Sequence, residues 1–516
     1  MSADLQGTRS QSPQRPDSEA RRLAIRVTLG RPTASYKVIA PSSERSSIMN
    51  QEFLAWLDAQ QGRQYELHER YVNPAFVKMI RTIGFDKGYV RGQGAWLFDR
   101  EGHRYLDLLT GWGVFTLGRN HPKVRSILEQ VLSREMPNLV RMDCSLLAGL
   151  AAEKLAHHAG SDSGRDPKRV FFCNSGTESI EAAIKFARCY TRKPRILFCD
   201  HAFHGLTIGS LSLNGSDFFR ERFGNLMPDT AKVPFNDLAA LEKALHEKNT
   251  AAFIVEPVQG KTCAVVADGY LAEAGRLCRK AGALLVVDEV QCGLGRTGKW
   301  FAYQHWPEVE PDIVCVAKAL SGGYVPVGAV LAAPRVMDAV FDSMEHCVIH
   351  SNTFGQNDLA MAAALATLQV MEEEKLADNA ARLGAKVIAR LTGIGKTCPF
   401  VFEVRGKGLM FGIDFRRPEG SVKLKAAWDA LHLLNEGVFS QTVIMPLLHE
   451  HRILAQVAGY HTELIKFLPP LNIAEEDLDY FLSAIEKVLD GLQDVSGNTW
   501  STVRTLAKGV ATQLVR

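Results

Sequence analysis

Between about residues 120 and 350 the chain alternates short, wholly apolar runs with longer stretches of helical periodicity. The runs are RVFFCN (169–174), RILFCD (195–200), AAFIVEP (251–257), ALLVVDEV (283–290), DIVCVAK (312–318) and GAVLAA (328–333). A strand apolar on both faces has to be covered on both, and intervening helices supply that cover. The pattern therefore predicts α/β architecture around a mainly parallel sheet. Ahead of it, helical periodicity begins near residue 50. GYVRGQGAWLFDREGHRYLDL then predicts two short strands joined by a hairpin-like turn at DREGHR, residues 99–104. After about residue 380 the order becomes helix, strand, helix, and Leu478, Phe481, Leu482, Ile485, Leu489 and Leu492 share one helical stripe. The expected organisation is a disordered basic tail over 1–48, a segment 49–119 packing with the small domain, a large domain over 120–379, a smaller α+β domain over 380–495, and a tail over 496–516.

Composition narrows the class. With 516 residues, 46% hydrophobic and 23% charged, this is a soluble globular chain long enough for two or three domains. The formal net charge of +3 is unevenly spread: residues 1–48 hold eight Lys and Arg against four Asp and Glu, which leaves the body near −1. A body without net basic charge points away from nucleic acid as a partner. No apolar run approaches the ~20 residues a membrane helix needs, so no membrane span is expected. The opening MSADLQGTRSQSPQRPDSEARR has no apolar secretory core, and Asp4, Asp17, Glu19 and Glu44 argue against a transit peptide. A cytoplasmic protein with a functional start near Met49 is expected. Ten cysteines form no CxxC pair, and several, such as Cys173, Cys199 and Cys315, lie inside apolar runs. They read as buried free thiols.

In open α/β sheets ligands bind outside the carboxyl ends of strands, and the residues found there carry chemistry. RVFFCN runs into SGTESIEAAIKFAR, where Ser175 and Glu178 have capping-box spacing and Ser175, Gly176 and Thr177 present backbone N–H groups and hydroxyls. This is either an ordinary capped helix or an anion site suited to phosphate. ALLVVDEV ends in Asp288 and Glu289. An acid there caps a helix, pairs with an arginine such as Arg296, or holds a proton on a heterocyclic nitrogen. GLGRTG (293–298) formally matches the dinucleotide fingerprint, but an acidic pair sits where a pyrophosphate would approach and no helix opens after Gly298, which excludes a nucleotide loop. DIVCVAK ends on Lys318, which alone would be a snorkelling lysine. A phosphate site, a buried acid and a lysine together are what a Schiff base to pyridoxal phosphate requires.

The motifs NSGTESIEAA, DHAFHG, VEPVQG, VVDEVQCGLGRTG, AKALSGGYVPVG, SNTFGQNDLA and RGKGLM occur in this order across roughly residues 70 to 490. The sequence thereby resembles the class III aminotransferases, the ornithine and acetylornithine aminotransferase family. YVNP (71–74) and FFCNSGTESIEAA bring it nearest to the putrescine aminotransferase branch. The resemblance implies fold type I, with the large domain binding pyridoxal 5′-phosphate (PLP). It makes Lys318 the Schiff-base lysine and Asp288 the partner of the pyridinium nitrogen. Ser175, Gly176 and Thr177 would hold the phosphate, Phe203 and Val290 would flank the ring, and Gln291 would reach the phenolic oxygen. His204 and Glu256 join the cofactor set. Thr353 matches the threonine that a neighbouring subunit supplies to the phosphate, so a homodimer or higher oligomer is implied. No metal is expected.

Two departures bear on substrate. Family members carry a glutamate just after EPxQG and an arginine before FxPPL, whereas this chain has Lys261 and Lys466. Two lysines cannot form the ion pair that masks the arginine, and a lysine offers a point charge where arginine offers a fork. TGWGVF also places Trp112 and Phe115 where relatives have smaller or more polar residues. The expected substrates are an amine donor reacting at a terminal carbon, or its aldehyde, and an oxo acid such as 2-oxoglutarate or pyruvate whose carboxylates Lys261 and Lys466 would hold. An ornithine-type aminotransferase, or a decarboxylase, racemase or aminomutase on the same scaffold, is the alternative. A nicotinamide dehydrogenase reading of GLGRTG and a non-catalytic scaffold are weaker rivals, because neither needs Lys318 and Asp288.

Overall fold

The computed structural model describes residues 43–140, 142–160, 168–247, 249–433, 437–459, 462–494 and Trp500. Most of the two expected tails, 1–42 and 496–516 without Trp500, lies outside the described residues. The chain divides into two compact units at Gln64. In the first, helix Ser43–Ala59 displays Phe53, Leu54, Trp56 and Leu57 to solvent.

The second unit contains three sheets. Arg91–Gln93 (β1), Trp96–Phe98 (β2) and Arg104–Asp107 (β3) form an antiparallel ribbon whose β2–β3 turn is the DREGHR hairpin. The large sheet uses Arg169–Cys173 (β4), Arg195–Cys199 (β5), Thr230–Val233 (β6), Thr250–Val255 (β7), Leu284–Asp288 (β8), Ile313–Val316 (β9) and Gly328–Ala332 (β10). Its order is β4-β10-β9-β8-β7-β5-β6. All neighbours are parallel except β10, which runs antiparallel to both β4 and β9. Every residue of β7, β8, β9 and β10 is buried, which is why they read as unbroken apolar runs. The edge strand β6, TAKV, has no such signature and is missing from the sequence reading. Helix Gly176–Thr191 packs across β7 to β10, and helix Tyr270–Ala281 bridges β7 and β8.

Val401–Lys407 (β11), Met410–Phe415 (β12), Ile453–Leu454 (β13), Gln456–Val457 (β14) and Leu464–Phe467 (β15) complete the strands. Four of them form the antiparallel sheet β11-β12-β15-β14, with helix Leu376–Gly395 packed on β11 and β12. The fifth, β13, pairs with β3 in parallel, so the ribbon and the C-terminal sheet share one stretch of chain. Helix Asp358–Glu373 packs on the turn Lys318–Ser321 that follows β9. All ten cysteines are free thiols, with only Cys144 and Cys347 exposed. Among the described residues no helix is long and apolar enough to cross a membrane.

Candidate active site

The carboxyl ends of β4, β7, β8 and β9 bring the expected residues together. Lys318 follows β9 after one residue and opens a tight turn with φ of +40°. A non-glycine residue in this region is strained, and such strain persists only where the surroundings impose it. The side chain is half-buried, and its ammonium makes no hydrogen bond or ion pair among the described residues. Burial lowers its pKa, although the charges of Asp288 and Glu256 oppose the shift.

Asp288 closes β8. Its Oδ2 lies 2.7 Å from His204 Nδ1, and its Oδ1 accepts from the Val290 N–H at 2.9 Å. The histidine is buried, and its Nε2 has no partner among the described residues. Burial alone would lower the His204 pKa, but the bond to Asp288 and the charges of Asp288 and Glu256 outweigh it and raise it. Glu256, one residue past β7, accepts from Phe203 N at 3.1 Å and Gly260 N at 2.8 Å. Its pKa is raised by burial and by Asp288, against the pull of His204 and these two N–H groups.

Glu289 turns away from this cluster. It accepts from the N–H groups of Ala302 and Tyr303, both at 2.8 Å, and burial pushes its pKa up to about 7. Arg296 pairs with neither acid, contrary to one expectation. Its guanidinium is buried against the Leu409 and Pro469 carbonyls, and burial pulls its pKa down to about 9. It ties the GLGRTG loop to the C-terminal sheet, and only the short 3-10 turn Ala302–His305, not an α-helix, follows that loop.

At the end of β4, Ser175 Oγ accepts from Glu178 N at 3.2 Å and caps helix Gly176–Thr191. The Glu178 carboxylate reaches Asn174 N at 2.6 Å instead of Ser175 N, so the capping box closes one residue early. Thr177 Oγ1 is engaged with Thr207 Oγ1 at 2.7 Å and Ser210 Oγ at 2.6 Å, hydroxyls that the sequence reading missed. The Gly176 and Thr177 N–H groups meet no acceptor among the described residues. Gly176 is required by space: a Cβ there would lie 2.6 Å from Val290 Cγ1.

The residues expected on the substrate side divide. Thr110, Gly111, Trp112 and Gly113 all have positive φ, a left-handed turn held by Asp107 Oδ1, which accepts from Leu109 N at 3.0 Å and Thr110 N at 2.7 Å. The Trp112 side is 53% exposed, and its carbonyl accepts from Gln291 Nε2 at 3.1 Å. Phe115 lies over Gly323, and the Arg119 guanidinium stacks on it at 4.0 Å while bonding Asp107 at 2.7 Å. The Lys261 ammonium sits over the Phe203 and Phe219 rings at 4.6 and 4.7 Å. Lys466 is buried and donates to Gly260 O and to Gln291 Oε1 at 2.9 Å. Thr353 is exposed and bonds none of these residues. The Asp107–Arg119 clamp carried no motif, which is why it escaped sequence reading.

Residues 85–489 match the family model described as Aminotransferase class-III. Among curated proteins, the chain is 33% identical over 486 residues to aminotransferase PigE of Serratia sp. (strain ATCC 39006), covering 88% of this chain and 56% of the relative. It therefore spans little more than half of that protein's length. Among solved structures it resembles the ornithine aminotransferase of Toxoplasma gondii, in which PLP partly occupies the active site, with 30% identity and a TM-score of 0.70 over 86% of this chain and 98% of the other. A PLP-bound amine transaminase from an uncultivated Pseudomonas species is similar at 28% identity and a TM-score of 0.66, covering 78% and 94%.

Proposed function

The chain belongs to the class III aminotransferases, and from that premise we propose that it moves an amino group between a terminal (omega) amine, or its aldehyde, and a 2-oxo acid. It is a PLP-dependent enzyme of fold type I. The residues of the site fit the cofactor on three counts. The Lys318 ammonium is uncommitted, the Gly176 and Thr177 N–H groups lack acceptors, and a glycine leaves room beneath Val290. In this reading Lys318 anchors the aldehyde, Asp288 holds the ring nitrogen, and the two N–H groups meet the phosphate. Phe203 and Val290 flank the ring, with Gln291 beside it.

When bound, PLP supplies the electron sink for the carbanion left at the donor carbon. The chain supplies the proton movements. Burial disfavours the charged form of Lys318, which enlarges its neutral fraction near neutral pH and suits Nζ to take the donor proton and return it. His204 Nδ1–H fixes the Asp288 carboxylate in place from behind.

The observation that carries the donor reading is a pair of apolar side chains, Trp112, 53% exposed on a turn whose carbonyl bonds Gln291, and Phe115, packed over Gly323. It suits a donor with a long apolar or uncharged end. The test is a panel of diamines, alkyl amines, L-ornithine and N-acetylornithine with 2-oxoglutarate and pyruvate. Terminal amines should turn over faster than the two amino acids, and a preference for reaction at an α-carbon would overturn the reading. The second reading, an ornithine-type enzyme, draws on the Toxoplasma likeness and is decided by the same panel. A homodimer with shared sites is supported by exposed Thr353, in a stretch of chain that also exposes Val348, Ile349 and Phe354.

A further inference from the structure

Lys466 and Lys261 occupy adjoining positions but differ in what their ammonium groups meet. Lys466 lies in β15, only 5% exposed, and spends its donors on two neutral acceptors, the Gly260 carbonyl and Gln291 Oε1 at 2.9 Å. The other end of the Gln291 amide donates to the Trp112 carbonyl at 3.1 Å. Gly260 allows this closeness, since a Cβ there would stand 2.9 Å from Gln291 Oε1 and 3.1 Å from Glu256 Oε1. Two residues on from Lys466, the Leu468 carbonyl accepts from Thr110 Oγ1 at 2.6 Å. The end of β15 thus grips the left-handed turn twice, once directly at Thr110 and once through Gln291 at Trp112. Trp112 is a non-glycine residue with φ of +62°, so outside bonds are needed to hold it there.

Lys261 is the opposite case. It is half-buried, its ammonium faces two aromatic rings, and it makes no hydrogen bond or ion pair among the described residues. Ring faces attract a cation without using its N–H donors, which remain available for a carboxylate. The platform is fixed as well, because the Phe203 N–H is bonded to Glu256 at 3.1 Å. Burial and the charge of Lys318 lower the Lys261 pKa, against Glu256, and an arriving carboxylate would relieve that.

We infer that Lys261 is the cation that receives the distal carboxylate of a dicarboxylic oxo acid, and that Lys466 is a positioning residue which sets the Trp112 turn through Gln291. The inference rests on the aminotransferase reading, deepens its acceptor side, and separates two lysines that the sequence treats alike.

The experiment compares wild-type holoenzyme with Lys261→Met, Lys261→Gln, Lys466→Met, Gln291→Met and the Lys466→Met/Gln291→Met double variant. Two readouts are used: binding of glutarate, an unreactive dicarboxylate, followed by the visible absorbance of the cofactor, and the acceptor half-reaction with 2-oxoglutarate and with pyruvate. Both Lys261 variants should raise the ratio of the 2-oxoglutarate KM to the pyruvate KM about tenfold and weaken glutarate equally. Lys466→Met should leave that ratio within about twofold of wild type and lower kcat, and the double variant should be no worse than Gln291→Met alone. A ratio unmoved by both Lys261 variants, a ratio raised by Lys466→Met, or multiplicative losses in the double variant would each overturn the assignment. A wild-type enzyme that ignores terminal amines would sink the donor reading alone, because glutarate binding needs no donor and the acceptor half-reaction starts from enzyme loaded directly with pyridoxamine 5′-phosphate, whose amino group passes to the oxo acid.

Discussion

His204 Nδ1 and Asp288 Oδ2 stand 2.7 Å apart in a buried setting, and among the described residues no other side chain bonds either group. If the histidine's task is to fix the carboxylate, a substitute that can still donate should serve better than one that cannot. His204→Asn should retain about tenfold more kcat than His204→Leu. Equal kcat values for the two variants would show that the bond does not matter.

Lys318 combines a chemical role with a strained backbone, at φ of +40°. Both Lys318→Ala and Lys318→Gly should abolish turnover and the visible absorbance of the holoenzyme. Glycine tolerates positive φ, so the glycine variant should be the more stable by about 1 kcal/mol in chemical denaturation. Activity in either variant would refute the assignment of Lys318 as the anchor.

Glu289 is buried, with its pKa raised from 4.5 to about 7. The folded protein then binds more protons than the unfolded chain between these values. This group's contribution to stability is complete below pH 4.5 and is lost as pH rises through 7. Denaturation midpoints of wild type and Glu289→Gln should converge at low pH, with the wild type losing stability relative to the variant as pH approaches 7. A constant offset between pH 4.5 and 7 would contradict this.

Trp112 presents a half-exposed indole from a turn that its backbone alone does not favour. Trp112→Ala should reduce kcat/KM for long alkyl amines about tenfold while affecting a short diamine less. The comparison is made with one oxo acid, so that acceptor binding cancels. Uniform losses would place Trp112 outside the donor site.

Thr353 bonds none of the site residues within one chain. If a partner subunit uses it to complete the site, mixing Lys318→Ala with Thr353→Ala subunits should restore about one active site per mixed dimer, whereas each variant alone stays impaired. Mixed dimers shown to form but lacking recovered activity would count against sharing.

The sequence alone determined the sheet's central strands and the chemistry at their ends. Burial on both faces of β7, β8 and β9 leaves unbroken apolar runs, so a lysine or an acid closing such a run stands out. The edge strand β6 lacks that signature because it is partly exposed. Motif order was sufficient for family and cofactor. Tertiary structure decided the partners. Whether Arg296 meets an acid or two carbonyls, whether Asp288 or Glu289 faces the site, and which of two lysines keeps its donors all depend on groups distant in sequence. His204 and Asp288 are 84 residues apart, Gln291 and Lys466 are 175 apart, and Trp112 and Gln291 are 179 apart. Periodicity reports which face of an element is buried; a hydrogen bond between elements depends on how the sheets assemble, and no local pattern encodes that.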